Sequence, residues 1–229
     1  MGAKAIVEGS PAPGDFYAQH RGGGLLTEAF NQRVGSLLAL AAFRLGMPPS
    51  VVTVLGLVVG LTGSVLMLTG GAAGALAGLL AWHLAYSLDC ADGQLARVTG
   101  KASPAGGRLD VLCDIAVQIG VVTAVGAIAA RSSPETARWL APMFAGAWLI
   151  NLFTSVLAGG PGSASLLPSG GVVRVVKLIR DYAALITSCG LVIWLRPEWT
   201  VWLMGALSLV NGGFLALSIV QALRRSLAT

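Results

Sequence analysis

Six apolar stretches, at residues 50–69, 73–98, 104–130, 137–158, 173–195 and 199–223, constrain this chain more than any other feature. Each is long enough to cross a hydrocarbon core of about 30 Å as a helix. Lipid offers no partner for backbone N–H and C=O groups, and a helix satisfies them within one segment. The composition agrees: 229 residues, 55% hydrophobic and 11% charged, with 31 glycines, a profile that does not suit a soluble domain of this length. The expected fold is all-α, a polytopic membrane protein of six transmembrane helices preceded by an amphipathic juxtamembrane helix.

Residues 1–24 are polar and glycine-rich and read as a flexible cytoplasmic tail, without the pattern of a cleaved signal peptide. Over residues 25–47, Leu26, Phe30, Val34, Leu37, Ala41 and Leu45 recur at helical spacing, with Glu28, Asn31, Gln32 and Arg33 on other faces. This predicts a helix lying in the membrane interface. Arg33 and Arg44 bracket too short an apolar stretch for a further span. Pro48-Pro49-Ser50 opens the six-helix transmembrane domain, residues 48–229, with Ser50 as the expected N-cap.

The net charge of +5 suits a membrane surface better than nucleic acid, because the basic residues flank apolar spans. With the N-terminus inside, twelve of the fifteen lysines and arginines fall on the cytoplasmic side, leaving Arg131, Arg138 and Arg196 outside. Both termini and the loop joining the second and third spans should therefore face the cytoplasm, and the expected location is a bacterial plasma membrane. Cys90, Cys113 and Cys189 lie in or beside apolar segments with no ligand spacing, and read as buried packing residues.

Against this background stand four acids: Asp89 and Asp92 at the end of the second span, Asp110 and Asp114 at the start of the third. Each carboxylate inside a membrane costs roughly 2.5–3.5 kcal/mol on insertion scales, so a cluster needs a compensating partner. Divalent cations that favour carboxylate oxygen, such as magnesium, manganese or calcium, are the natural one. Residues three and four apart share a helical face. Two antiparallel helices joined by a short loop can thus present all four acids across one gap. Such a set suits two nearby metals, an arrangement that acts on phosphoryl centres. Arg97 adds a forked phosphate donor, and Gly93 and Gly106 remove side chains where a ligand would collide.

The run Asp89-Cys-Ala-Asp92-Gly93-Gln-Leu-Ala96-Arg97, then Gly106, Asp110 and Asp114, resembles the CDP-alcohol phosphotransferase (CDP-alcohol phosphatidyltransferase) family in every fixed position of its motif. The resemblance implies an integral-membrane enzyme of phospholipid synthesis. It would transfer a substituted phosphate, phosphatidyl from CDP-diacylglycerol, to an alcohol and release CMP. It further implies that Asp89, Asp92, Asp110 and Asp114 bind two divalent cations, Mg2+ or Mn2+ with Ca2+ as a non-productive occupant, and that Asp114 is also the general base. Asp89, Gly93, Arg97, Ser103 and Gly106 would line the CDP-donor site. The family's Pro-Asn-x-x-Thr opening of the first span corresponds here to Pro49-Ser50-Val51-Val52-Thr53, which adds Ser50 and Thr53 with serine in place of asparagine. A homodimer is implied on the same ground.

Other readings stay open at this level. A soluble CDP-alcohol donor with a lipid acceptor uses the same motif. An aspartate-rich prenyltransferase has different acidic spacing, and a cation-coupled transporter fits poorly with four acids packed at one end. Arg174, Lys177 and Arg180, with Lys101 and Arg108, form a candidate acceptor site for a phosphorylated polyol, or serve as positive anchors. His83 reads as hydrogen-bonded within the bundle, Asp181 as structural, the tryptophans as interfacial anchors, and 159–163 as a linker. Gly56, Gly60, Gly63, Gly71, Gly74 and Gly78 should allow close helix contact.

Overall fold

The computed structural model of the chain describes residues 11–21, 23–158 and 181–227, and these are helical with short turns. Numbered in order, the helices are α1 (Pro13–Tyr17), α2 (Gln32–Arg44, entered through a wide turn at Thr27–Asn31), α3 (Pro49–Thr69), α4 (Gly71–Val98), α5 (Pro104–Ser132), α6 (Pro134–Ala158), α7 (Tyr182–Leu195) and α8 (Thr200–Ser226). Four segments are long and apolar enough to cross a membrane: α3, α4, α5 and Pro197–Val220. The expected all-helical polytopic membrane fold is therefore present, with four such spans rather than six among the described residues. The described part of the expected span at 173–195 is the shorter apolar helix α7.

The chain divides into two compact units, residues 1–124 and 125–229. In the first, α3 and α4 form an antiparallel hairpin about the Gly70-Gly71 turn, where Gly71 takes a positive φ of 56°. Small residues let the two backbones approach closely. A Cβ added to Gly78 would fall 2.7 Å from the Gly63 carbonyl, and one added to Gly63 would fall 2.9 Å from the Trp82 ring. Gly60 admits Val117 of α5 in the same way, at 2.7 Å from a hypothetical Cβ. Five of the six glycines expected to pack do so, whereas Gly71 serves the turn. Trp82 is fully enclosed and donates from Nε1 to Ser64 Oγ at 3.1 Å. It is a core residue, not the interfacial anchor expected of it, and Trp148 is buried likewise, while Trp139, Trp199 and Trp202 are exposed.

Helix α2 packs on α4 with its polar and small side, not its apolar one. Asn31, Gln32, Gly35, Ser36, Ala39 and Leu40 are buried, while Phe30, Leu37, Phe43 and Leu45 are exposed. A Cβ on Gly35 would meet Cys90 Cβ at 2.9 Å. Asn31 Nδ2 donates to the His83 carbonyl at 3.1 Å and to Ser87 Oγ at 3.0 Å, and Gln94 Nε2 donates to Gln32 Oε1 at 2.8 Å. Polar groups are inside and large apolar side chains outside, the distribution that suits a helix resting against lipid. The His83 ring, with Nδ1 3.5 Å from Asn31 Nδ2, is tied into the bundle as expected.

Two expectations change. The stretch read as an irregular tail holds α1, begun by Pro13 at the first helical position and by Asp15, which accepts from the Ala12 N–H at 2.8 Å. Its Phe16 is 0% exposed and packs among Ala39, Leu40, Val52, Ala91 and Leu95. At the start of α3 the N-cap is Pro48, with Pro49 next and Ser50 exposed one residue further in. Proline's fixed φ is already helical and its missing N–H costs nothing there, so the helix begins before the serine.

In the second unit α6 and α8 pack together, and Ala137, Phe144, Ala147 and Trp148 of α6 and Val201, Met204 and Leu207 of α8 are buried. Phe144, Trp148 and Tyr182 continue edge-to-face at centroid distances of 5.5 and 6.3 Å. Asp181 is the N-cap of α7, accepting from the Ala183 N–H at 3.2 Å, which gives it the structural role expected.

Candidate active site

The four aspartates lie where α4 ends and α5 begins, all in the first unit. Their helices are joined by a turn that the sequence specifies closely. Gly100 adopts φ 66°, its N–H donates to the Arg97 carbonyl at 3.3 Å, and the Lys101 N–H donates to the Ala96 carbonyl at 2.9 Å. This doubly bonded glycine cap ends α4. Two residues later Ser103 Oγ accepts from the Gly106 N–H at 3.1 Å and caps α5, with Pro104 following. The chain reverses within residues 99–103, which sets α4 and α5 antiparallel.

That reversal brings the carboxylates together. Asp89 is within hydrogen-bonding reach of both Asp110 and Asp114. Asp92 is buried and accepts a hydrogen bond from the Thr53 hydroxyl of α3, which also lies 3.2 Å from the Pro49 carbonyl. Asp110 Oδ1 is buried with no hydrogen-bond partner. Among the described residues no three His, Cys, Asp or Glu side chains are spread around a common point in ready ligand geometry. The acids meet instead as close electrostatic neighbours. The donor set nonetheless fits a hard divalent cation. It offers only carboxylate oxygens, one of them orphaned, and the thiols of Cys90 and Cys113 beside it are packing residues.

Arg97 lies one turn beyond Gly93 on α4. A Cβ on Gly93 would stand 3.1 Å from both Nη1 and Nη2 of Arg97, so the guanidinium lies across the bare glycine backbone. Its charge reaches Asp92 and Asp110. Arg97 Nε donates to the Gln19 carbonyl at 2.8 Å, a contact from the segment after α1 that sequence reasoning missed. The available signal was Pro-Gly-Asp at 13–15, a helix start with an aromatic pair behind it.

The remaining candidates divide. Thr53 is spent on Asp92, Ser103 on capping, and Ser50 is exposed in the first turn of α3. Gly106 is open except for the Ser103 hydroxyl, 3.2 Å from a hypothetical Cβ. Lys101 and Arg108 are exposed beside the turn. Arg174, Lys177 and Arg180 lie outside the described residues.

A family model described as CDP-alcohol phosphatidyltransferase matches residues 47–210, well over half the chain. The chain belongs to the CDP-alcohol phosphatidyltransferase family. It is accordingly a membrane phosphotransferase, an enzyme that moves substituted phosphate groups from a CDP-alcohol to an alcohol acceptor. The match takes in α3, the whole acidic motif and the beginning of α8 as far as residue 210, and it starts after α1 and α2. A comparison with curated proteins gave no match.

Proposed function

We propose that this family member transfers a phosphatidyl group from CDP-diacylglycerol to the hydroxyl of a cytoplasmic alcohol and releases CMP. The observation that carries the reading is the convergence of Asp89, Asp110 and Asp114 across the α4–α5 turn, with Asp92 held beside them by Thr53. Four acids in an apolar bundle are costly unless a cation offsets them.

Asp89, Asp92, Asp110 and Asp114 would hold two divalent cations, Mg2+ or Mn2+. When bound, these ions would neutralise the diphosphate and polarise the phosphorus–oxygen bond. Thr53 fixes the rotamer of Asp92, so that one carboxylate oxygen is aimed before substrate arrives. Arg97 lays its two terminal nitrogens over Gly93, where a diphosphate can approach the backbone. Asp114 accepts the proton of the incoming hydroxyl. The new bond joins the acceptor oxygen to the phosphorus of the phosphatidyl group, and the bond from that phosphorus to the CMP oxygen breaks. CMP leaves with the electron pair. Ser50, Ser103 and Gly106 remain as donor-side contacts, and Lys101, Arg108, Arg174, Lys177 and Arg180 as the basic groups for a phosphorylated acceptor. A homodimer in a bacterial plasma membrane, with the site facing the cytoplasm, completes the reading.

The test uses labelled CDP-diacylglycerol with serine, inositol, glycerol phosphate and inositol phosphate in turn. The expected result is CMP and a new phospholipid in equal amounts with one acceptor. Absence of CMP release with every acceptor, in the presence of Mg2+ or Mn2+, overturns the donor assignment.

A further inference from the structure

The segment 11–21 lies outside the family-matched range, yet it is built into the core of the first unit. Phe16 sits in one buried cluster with Ala39, Leu40 and Ala42 of α2, Val52 of α3 and Ala91 and Leu95 of α4, with the Phe43 ring edge-on at 6.0 Å. Two of those partners, Ala91 and Leu95, flank Asp92 and Gly93 on α4. From this anchor the chain turns back through the Gln19 N–H bonded to the Phe16 carbonyl and the His20 N–H bonded to the Tyr17 carbonyl, each at 3.0 Å. The turn leaves the Gln19 carbonyl pointing outward, and Arg97 Nε donates to it at 2.8 Å.

A guanidinium has one Nε–H and four terminal N–H groups in a fixed plane. Once the Nε–H is bonded to a carbonyl, that plane is fixed, and the terminal fork faces away from the carbonyl. In this molecule the fork lies against Gly93. A long flexible side chain at the end of a helix loses its rotamer freedom in advance, which removes part of the ordering cost of binding.

We propose that residues 13–20 form a strap that positions Arg97, with Phe16 as its anchor and the Gln19 carbonyl as its contact, so that Nη1 and Nη2 are aimed at the diphosphate of the donor. The proposal rests on the reading of Arg97 as a diphosphate contact. Gln19 and Phe16 are positioning residues; neither touches the reacting atoms.

The experiment measures binding of CDP, in the presence of Mg2+, to the full chain in detergent. Arg97→Ala should weaken binding by about tenfold or more, as expected for a lost charged hydrogen-bonding fork. Phe16→Ala should weaken it by about tenfold, and Phe16→Leu should recover most of the loss. The double variant Phe16→Ala/Arg97→Ala should bind no more weakly than Arg97→Ala alone, because the strap acts only through that side chain. Should Phe16→Ala fail to fold, His20→Pro keeps the anchor. It removes the His20 N–H and drives Gln19 toward an extended backbone, turning its carbonyl away. His20→Pro should then weaken CDP binding more than His20→Ala, which loses only the side-chain bond to the Tyr17 carbonyl and the stacking on Tyr17. Wild-type binding in Arg97→Ala overturns the diphosphate reading itself. Weakened binding in Arg97→Ala with unaltered binding in Phe16→Ala or His20→Pro overturns the strap alone, as does full additivity in the double variant.

Discussion

Helix α4 carries two buried polar clusters on different sides, and they solve the same problem in opposite ways. Toward α2 it presents the His83 carbonyl, Ser87 and Gln94, which meet Asn31 and Gln32 through backbone, hydroxyl and amide groups. Toward α3 and α5 it presents Asp89 and Asp92, which meet Thr53, Asp110 and Asp114. Both clusters keep an orphaned oxygen, on Asn31 and Gln94 in the first and on Asp110 in the second. The difference is charge. A neutral amide oxygen left without a partner costs about 1–3 kcal/mol and can be tolerated. Ionised carboxylates gathered together repel one another and cannot all be satisfied by hydrogen bonds within the set. The amide cluster is a structural joint, and the acid cluster has the chemistry of a cation site.

Four perturbations separate the two clusters. Chelation of divalent metal should abolish transfer completely and leave the amide joint intact. Restoring Mg2+ at a hundredfold excess over its Kd should add about 2.7 kcal/mol of stability, read as a rise in melting temperature. Next in size, Asp114→Asn should lower turnover by about 10³-fold while CDP binding persists, since the lost function is proton acceptance. Retained turnover there would break the assignment of the base. Thr53→Val should lower kcat/KM by about tenfold through a misaligned Asp92, with little change in melting temperature. Smallest in activity, Gln94→Leu should stay within twofold of wild-type turnover. It should cost about 1–2 kcal/mol in stability, because the bonds from Gln94 to Gln32 are lost. A large loss of activity in Gln94→Leu would mean the two clusters are not separate.

The acid cluster was legible because its information is local. Spacings of three and four residues place each pair on a helical face, and Gly100 with Ser103-Pro104 specifies the reversal that opposes them. Family membership, the buried cysteines and the structural role of Asp181 were legible for similar reasons. The side of α2 that packs was not. Periodicity marks Phe30, Leu37 and Leu45 as one face and fits its exposure toward lipid, but it does not say that Asn31 and Gln32 are the residues turned inward. Trp82 was misread because a partner 18 residues earlier, Ser64, satisfies its N–H inside the hairpin. Pro13-Gly14-Asp15 could have marked the start of α1, but the docking of Phe16 into a cluster shared with α2 and α4 is a tertiary contact that no local pattern records. Ser50 lost the cap to Pro48 through a two-residue shift that capping preferences do not resolve.

The most direct test of the central claim is titration of the purified chain with Mn2+, following bound metal by electron paramagnetic resonance. The account predicts two bound ions per chain, magnetically coupled, with occupancy reduced in Asp89→Asn and in Asp110→Asn but unaltered in Gln94→Leu. Metal binding that survives both aspartate substitutions unchanged would contradict it.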